Sequence, residues 1–160
     1  MHTRNKIVAK EQAAKIVKNQ KERGGKVVFS NGCFDIVHLG HIDYLEKSRA
    51  LGDFLVLGLN SDDSVKKIKG ASRPIADEKS RSHVMAAFEF IDLVVLFEED
   101  TPFELIKYLK PDILVKGNDY NIDNIVGADI VIENGGKVET IELVKGYSTS
   151  SIIDKIKNSE

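Results

Sequence analysis

The apolar residues of this chain cluster in five short runs, of which the last is interrupted by Glu139 and Thr140, and segments with a helical pattern separate the runs. The runs cover residues 27–29, 54–59, 93–97, 113–115 and 138–141. Short continuous apolar runs are typical of strands that are buried on both faces, as the strands of a parallel sheet are. The alternation of such strands with helices predicts an α/β, Rossmann-like fold, in which a five-stranded, doubly wound parallel sheet carries helices on both faces.

The segments between the runs predict helices, because their apolar residues recur at intervals of three and four. These helices cover residues 10–23, 41–51, 62–69, 77–90, 103–109, 128–134 and 149–157. We expect residues 1–9 to be loosely ordered. No internal repeat or linker divides the sequence. We therefore predict a single domain over residues 1–160, with an N-terminal helical extension at about 1–25 and the functional core at 26–160.

The composition excludes several classes of protein. The 160 residues are 42% hydrophobic and 30% charged, which is typical of a globular protein, and the net charge of -2 argues against a dedicated nucleic-acid binder. The single cysteine, Cys33, cannot form an intramolecular disulfide, so nothing demands an oxidising compartment. No apolar stretch approaches the ~20 residues of a membrane span, and no apolar signal core follows the first ten residues. We therefore expect a cytoplasmic protein without a membrane partner.

The topology of such a sheet predicts where a ligand binds. In open α/β sheets, ligands lie beyond the carboxyl ends of the strands, where the strand order reverses. With right-handed crossovers, the first and fourth strands flank that point. The loop after the first strand, residues 31–41, and the loop after the fourth, residues 116–120, should therefore meet at one cleft.

A pair of histidines, in His38-Leu39-Gly40-His41, opens the helix that follows the first strand. Two imidazoles three residues apart on a helix project to the same side. Here they would lie beside unpaired backbone N–H groups and the positive end of the helix dipole. The glycine between them lets an anion approach the backbone. This pattern favours a binding site for polyphosphate.

Further motifs accompany the histidine pair in a fixed order along the chain. They are FSNGCFD at 29–35, NSD at 60–62, RPI at 73–75, FEEDTP at 97–102, LVKGNDY at 114–120 and GYSTS at 146–150. The whole set resembles the nucleotidyltransferase superfamily, and within it the bacterial D-glycero-D-manno-heptose 1-phosphate adenylyltransferases. The resemblance covers roughly residues 26–156. It implies that ATP and a heptose 1-phosphate give ADP-heptose and pyrophosphate, for lipopolysaccharide core or related heptose glycan synthesis.

Many bacteria fuse this unit to a sugar kinase, and the resemblance leads us to expect a stand-alone form here. It also implies ATP and a sugar 1-phosphate as partners, with Mg²⁺ arriving on ATP, because the sequence shows no all-protein metal cage. Members of this family are commonly dimers or larger. We therefore expect a homodimer or a higher homo-oligomer, with the apolar segments 85–88 and 94–97 as candidate interfaces. The alternative is that both segments fill the core, and the helical segment 85–88 is the better candidate of the two.

Nucleotidyl transfer between two phosphates needs positioning and charge neutralisation more than it needs proton transfer. A sugar phosphate has a second pKa of about 6 and is largely dianionic at neutral pH, so no general base is required. Cationic side chains, histidines and helix N-termini are the expected groups. The candidate catalytic residues are His38, His41, Lys69 and Arg81, of which Arg81 matches the arginine that follows the family's variable loop. The sequence does not decide which lysine of the α-helical segment 62–69 contacts the substrate: Lys66, Lys67 or Lys69. It also leaves open whether Arg73 contacts the sugar phosphate or lies on the surface.

The nucleotide-binding residues come from three segments. They are Asn31, Gly32, Cys33, Phe34, His38, Gly40 and His41 in the first, Lys116, Asn118 and Asp119 in the second, and Ser148, Thr149 and Ser150 in the third. The family places base and ribose contacts in the second segment and binds the β- and γ-phosphates with the third. Taken alone, the second segment is also typical of a strand-end turn, and the third of a helix N-cap.

Two other functions remain as alternatives. One is a cytidylyltransferase that acts on glycerol phosphate or another polyol phosphate. Those enzymes share the histidine pair, but residues 143–149 and 116–120 fit the heptose group better. The other is a non-catalytic nucleotide-binding module. Such a module could lose contacts to the transition state, so the retention of His38, His41 and Arg81 together favours an enzyme.

Overall fold

The sheet has five parallel strands, and its order places the first and fourth strands side by side. The structure, a computed structural model, describes residues 2–119 and 121–159. The strands are β1 (Val27–Gly32), β2 (Phe54–Asn60), β3 (Leu93–Phe97), β4 (Ile113–Gly117) and β5 (Lys137–Ile141). Their order is β3-β2-β1-β4-β5, and these neighbours pair in parallel. The predicted doubly wound sheet is thus confirmed, with the strand order reversing between β1 and β4.

The helices connect the strands, mostly at the predicted positions. They are α1 (Thr3–Lys6), α2 (Lys10–Glu22), α3 (Leu39–Arg49), α4 (Asp62–Lys69), α5 (Glu78–Ala87), α6 (Phe103–Leu109), α7 (Ala128–Glu133) and α8 (Thr149–Lys157), with a short 3₁₀ helix at Ile122–Asn124. α3 begins two residues earlier than predicted, with His38 at its N-cap. α5 is shorter than predicted, because Asp77 caps its start and it ends at Ala87. Over the described part of the chain, no helix is long and apolar enough to cross a membrane.

Two apolar clusters fill the space between the sheet and the helices. One cluster packs α2, α6 and α7 on one face of the sheet and includes Val27 and Phe29. The other packs α3 and α5 on the opposite face and includes Val28 and Leu45. Consecutive strand residues belong to different clusters because their side chains point alternately to the two faces. Strands β1 to β4 are therefore covered on both faces, as their apolar runs predicted, whereas in β5 only Ile141 is buried.

The expectation of a loosely ordered N-terminus is wrong for its described residues. Lys6 Nζ donates a hydrogen bond to the carbonyl of Phe88 at 2.9 Å. Ile7 forms a parallel bridge with Val94, and the N–H of Val8 donates to the Val94 carbonyl at 3.1 Å. This segment covers the outer edge of β3, where unpaired backbone groups would otherwise face solvent.

The two apolar segments that we named as candidate interfaces contribute mainly to the core. In α5, Met85 is fully buried and Ala86 is 1% exposed, and in β3 both Val94 and Val95 are fully buried. These four side chains are unavailable to an interface, because they already pack against the sheet and its helices, whereas Ala87 is exposed. An interface at the remaining positions of these segments stays a prediction. A homodimer or a higher oligomer stays a prediction.

Candidate active site

A cleft of about 600 Å³ lies at the carboxyl ends of β1 and β4, where the strand order reverses. It is lined by the loops after these two strands, by the N-termini of α3 and α8, and by the end of α4. Its volume is within the range of small-molecule sites. The two motif-bearing loops thus meet at one mouth, as the strand topology predicted.

His38 and His41 stack on each other at the start of α3. Their ring centroids are 3.7 Å apart, and the ring planes are inclined by 22°. His38 is the N-cap residue and His41 lies in the first turn, so both rings are close to the positive end of the helix dipole. Nδ1 of each ring is buried, and neither has a hydrogen-bond partner among the described residues. The pair therefore has hydrogen-bonding capacity left at a position that suits an anion.

The histidine pair is uncharged at neutral pH. Burial, with a smaller contribution from the neighbouring His38, lowers the pKa of His41 to about 4. Burial also lowers the pKa of His38. Removing water from stacked imidazoles disfavours their protonated forms, whereas negative charge close to them favours protonation. A bound polyphosphate would therefore raise both pKa values.

Two glycines are required where aromatic rings pack at the histidine end of the cleft. A Cβ on Gly40 would lie 3.1 Å from atoms of the His38 ring. A Cβ on Gly32 would lie 2.8 Å from the ring of Phe34, which contacts His41 edge-on with 5.1 Å between ring centroids. An added Cβ would force the Phe34 ring to move at Gly32, and at Gly40 the His38 ring would have to give by a few tenths of an ångström. This explains both predicted glycines in terms of packing.

The loop after β1 contributes Asn31, Gly32, Cys33 and Phe34 to the lining of the cleft, as predicted. Phe34 has a positive φ of 44°, which turns the chain sharply at this point. Burial raises the pKa of the Cys33 thiol, although nearby cations led by Lys69 lower it. The thiol is therefore neutral, which agrees with a packing role for Cys33.

Asp35 ties this loop to the segment between α4 and α5. Its fully buried carboxylate accepts hydrogen bonds from Arg73 Nε at 2.7 Å, from the Ile75 N–H at 2.8 Å and from the Ala76 N–H at 2.9 Å. Burial alone would raise the pKa of Asp35, but these hydrogen bonds lower it. Arg73 lines the cleft with 14% of its side chain exposed. Its pairing with Asp35 therefore leaves it at the edge of the site and not on the free surface.

The structure does not bring Arg81 together with the histidines. The residue is 1% exposed. Its guanidinium donates to the carbonyl of Cys33 at 2.6 Å, to the carbonyl of Ala76 at 3.1 Å and to the carboxylate of Asp62 at 2.9 Å. Three of the five N–H donors of this guanidinium thus bond to protein groups, and Arg81 is not among the residues that line the cleft. These contacts indicate that Arg81 supports the loop that contains Cys33, and the expected phosphate contact stays a prediction.

Among the lysines of α4, Lys69 lines the cleft. Lys66 pairs with Asp63 at 3.3 Å, and Lys67 pairs with Asp100 at 3.6 Å. Of the three lysines, Lys69 is therefore the favoured candidate for a substrate contact, since Lys66 and Lys67 form ion pairs on the exposed side of the helix.

The loop after β4 forms the opposite wall of the cleft, with Lys116 and Asp119 in its lining. Burial lowers the pKa of Lys116 to about 8, although the Asp119 carboxylate acts in the other direction. Asn118 Oδ1 accepts a hydrogen bond from the N–H of Leu143 at 3.4 Å, which anchors the segment that leads to α8. Tyr120, the last residue of this motif, lies outside the described residues.

The N-terminus of α8 contributes Ser148, Thr149 and Ser150 to the cleft. Ser148 Oγ accepts a hydrogen bond from the N–H of Ser151 at 3.1 Å, so Ser148 is the N-cap. Thr149 Oγ1 donates to the carbonyl of Ile36 at 3.3 Å, which ties α8 to the first loop. The two sequence interpretations, a helix cap and a wall of the ligand site, therefore hold together.

Sequence reasoning missed two residues that hold the site in place. One is Asp35, described above. The other is Tyr44 of α3, whose hydroxyl bonds to Ser30 Oγ at 2.8 Å and donates to the Val115 carbonyl at 3.0 Å. This hydroxyl joins β1 to β4 beneath the cleft. The sequence held a weak signal for Tyr44, because a tyrosine on the sheet-facing side of a helix has a hydroxyl that needs a hydrogen-bond partner when it is buried.

The family model of the cytidylyltransferase-like proteins matches residues 29–155 of this sequence. The matched range contains both motif loops, the histidine pair and most of α8. The chain therefore belongs to the cytidylyltransferase-like family.

Two relatives and one solved structure show which members of the family this chain resembles. The chain is 58% identical over 155 residues to the bifunctional protein HldE of Campylobacter jejuni subsp. doylei, covering 97% of this chain and 32% of that protein. It is 53% identical over 152 residues to the HldE protein of Syntrophotalea carbinolica, covering 95% and 31%. The chain thus spans about a third of the length of these relatives. The crystal structure of a lipopolysaccharide core biosynthesis protein from Thermoplasma volcanium matches with a TM-score of 0.63 and 32% identity, over 78% of this chain and 100% of that chain.

Proposed function

We propose that the protein is a nucleotidyltransferase that joins ATP to a heptose 1-phosphate, giving ADP-heptose and pyrophosphate. The observation that carries the proposal is the stacked pair of His38 and His41 at the start of α3, in one cleft with the N-terminus of α8. Two helix N-termini and two imidazoles suit a polyphosphate. Family membership, the likeness to HldE proteins and the likeness to a lipopolysaccharide core biosynthesis protein support this reaction and this class of sugar.

The reaction is a displacement at the α-phosphorus of ATP. An oxygen of the sugar phosphate forms a bond to this phosphorus, and the bond from phosphorus to the oxygen that leads to the β-phosphate breaks. Pyrophosphate leaves with the electron pair. Because the attacking phosphate is mostly dianionic near neutral pH, no proton has to be removed. The protein has to position two anions and to neutralise charge as it moves.

Different residues of the cleft bind the phosphates and neutralise their charge. His38 and His41 bind the triphosphate and stabilise the charge that passes to the leaving pyrophosphate. The N-terminus of α8 holds the β- and γ-phosphates, and Lys69 approaches from the end of α4. Among the side chains that the structure describes, which leave out Asp123, no cluster of three His, Cys, Asp or Glu residues could hold a metal ion. In this proposal Mg²⁺ enters as part of the substrate, bound to the triphosphate, whose charge it partly neutralises.

A cytidylyltransferase acting on glycerol phosphate or another polyol phosphate is the second candidate. The description of the family that matches residues 29–155 favours it. The same displacement at phosphorus serves both reactions, so the difference lies in the base and in the acceptor. Turnover with CTP and glycerol 3-phosphate in place of ATP and heptose 1-phosphate would select this candidate.

Substitution of the histidines tests the assigned chemistry. Pyrophosphate release from ATP and heptose 1-phosphate should fall at least ~10²-fold in His38→Ala and in His41→Ala, because each change removes a preorganised stabilising group. His83→Ala is the matched control, since this histidine bonds to the Lys79 carbonyl on α5, away from the cleft. The control should keep full turnover, and all three variants should keep the wild-type circular dichroism spectrum. Near-normal turnover in both cleft variants would overturn the assignment.

We also propose that the protein acts in the cytoplasm and assembles as a homodimer or a higher homo-oligomer. A symmetric dimer is the commonest closed assembly. Sedimentation at micromolar concentration should give a mass of at least twice the 17.8 kDa of one chain. A monomer alone under these conditions would contradict the proposed assembly.

A further inference from the structure

A second polar patch lies in the cleft, on the sheet face opposite to the histidine-bearing helix. β1 and β4 pair with Phe29 beside Leu114, and both side chains belong to the cluster that packs α2, α6 and α7. Two residues further along each strand, the alternation of side chains places Asn31 and Lys116 on this same face. α3 packs on the other face. Asn31 and Lys116 therefore lie across the strand ends from the histidine pair.

The floor of this patch is closely packed, because the neighbouring position of β2 is a glycine. Asn31 is the register partner of Gly58 in the ladder between β1 and β2. A Cβ on Gly58 would lie 2.8 Å from the ring of Phe29 and 3.2 Å from the Cβ of Asn31, so these two residues fill the place of a side chain there. Thr101, just before α6, and Ile125, just before α7, line the cleft on the same side. This part of the cleft therefore has a polar floor and a partly apolar wall.

Asn31 and Lys116 have complementary binding chemistry. Oδ1 of Asn31 is buried and lacks a hydrogen-bond partner within the described part of the chain. Lys116 is a largely desolvated amine, and burial lowers its pKa to about 8. An anion next to such an amine favours its protonated form and pairs with it. An amide oxygen accepts from hydroxyl groups, and an ammonium group binds phosphate. The two together match a phosphate monoester that carries several hydroxyl groups.

We propose that Asn31 and Lys116 form the subsite for the acceptor, a sugar phosphate, while the nucleotide lies on the histidine side of the strand ends. This subsite rests on the proposed function, since it needs a reaction between two phosphorylated substrates. It places the two anions on opposite sides of the strand ends, which lets the acceptor approach the α-phosphorus in line with the leaving pyrophosphate. It also moves the side chains of Asn31 and Lys116 from the nucleotide, where the family resemblance placed them, to the acceptor.

Steady-state kinetics of Lys116→Met and Asn31→Leu test the subsite. Both substitutions keep the approximate shape of the side chain and remove its polar group. We expect the KM for the sugar phosphate to rise at least about tenfold in each variant, since one hydrogen bond to a charged or buried partner is lost. The KM for ATP should change less than about threefold. Lys66→Met, at an exposed ion pair on α4, should leave both KM values unchanged. A rise in the KM for ATP as large as that for the sugar phosphate, or no rise in either, would overturn the subsite.

A binding measurement separates this inference from the proposed function. Heptose 1-phosphate or glycerol 3-phosphate, added to ¹⁵N-labelled protein, should shift the NMR signals of the Asn31 side-chain amide and the Lys116 backbone amide. A non-hydrolysable ATP analogue should instead shift Gly40 and His41. If these shifts occur but no pyrophosphate is released, the proposed function fails, while the binding of a phosphate ester by Asn31 and Lys116 stands. If both phosphate esters shift only Gly40 and His41, or shift nothing at about 10 mM, the subsite is wrong.

Discussion

Mild acidification should destabilise this protein through His41, and substitution of this histidine should remove that part of the effect. Burial and the neighbouring His38 lower the pKa of His41 to about 4 in the folded protein, against about 6.5 in an unfolded chain. Between these values the unfolded chain binds a proton that the folded protein does not bind. The free energy of unfolding therefore falls as the pH drops from about 6.5 towards 4, and His41 contributes fully above that range. The lowered pKa of His38 acts in the same direction.

The difference between the pKa of His41 in the folded protein and in the unfolded chain corresponds to about 3 kcal/mol of unfolding free energy in full. Between pH 7 and pH 4.5, about 2 kcal/mol of this is lost. Urea unfolding, followed by circular dichroism at both pH values, measures this loss. Wild-type protein should lose about 2 kcal/mol more than His41→Asn, and His83→Asn should behave as wild type. Asp35 interferes little, because its pKa lies below the usual 3.8 and its contribution is lost only at lower pH. Equal losses in wild type and His41→Asn would refute the idea of a desolvated histidine pair.

Three further substitutions probe the framework of the cleft. Arg81→Met should lower the free energy of unfolding by ~1–3 kcal/mol in urea titrations, because it leaves the half-buried Asp62 carboxylate and two backbone carbonyls without their donor; unchanged stability with lost activity would indicate a phosphate-binding role for Arg81 instead. Gly40→Ala should weaken the affinity for an ATP analogue, measured by calorimetry, at least about tenfold, since its Cβ shifts the His38 ring; unchanged affinity would show that nucleotide binding does not depend on the position of this ring. Asp35→Asn should speed hydrogen exchange of the Ile75 amide at least about tenfold, because an acceptor is lost; unchanged exchange would contradict the clamp.

The fold could be predicted from sequence because its main determinants are local. Each apolar run became a strand, and the handedness of crossovers predicted that the first and fourth strands flank the point where the strand order reverses. Residues 62–69 and 149–157 carry both a helical pattern and polar N-caps, Ser61 and Ser148, so these helices were predicted with their observed bounds. The N-terminal segment was missed because its pairing with Val94 joins residues that are far apart in sequence.

In the candidate site, too, the sequence predicted the features that depend on local spacing and missed those that depend on packing. The spacing of His38 and His41 was enough to predict that their rings lie on the same side of the helix, and the structure shows that they also stack. The sequence could not reveal that Arg81 is enclosed, because its partners come from three separate segments of the chain. The same holds for Asp35 and for the depth of Lys116, since burial depends on packing between elements and not on any single motif.

Pyrophosphate release, measured for each pairing of ATP or CTP with heptose 1-phosphate or glycerol 3-phosphate in the presence of Mg²⁺, tests the central claim most directly. The account predicts turnover with ATP and heptose 1-phosphate, with a product whose mass is that of ADP-heptose. It also predicts kcat/KM at least about a hundredfold lower for the pairing of CTP with glycerol 3-phosphate, because the base and the acceptor are both wrong. Preference for CTP and glycerol 3-phosphate would establish the cytidylyltransferase instead. Nucleotide binding without turnover in any pairing would contradict the assignment of this protein as an enzyme of this class.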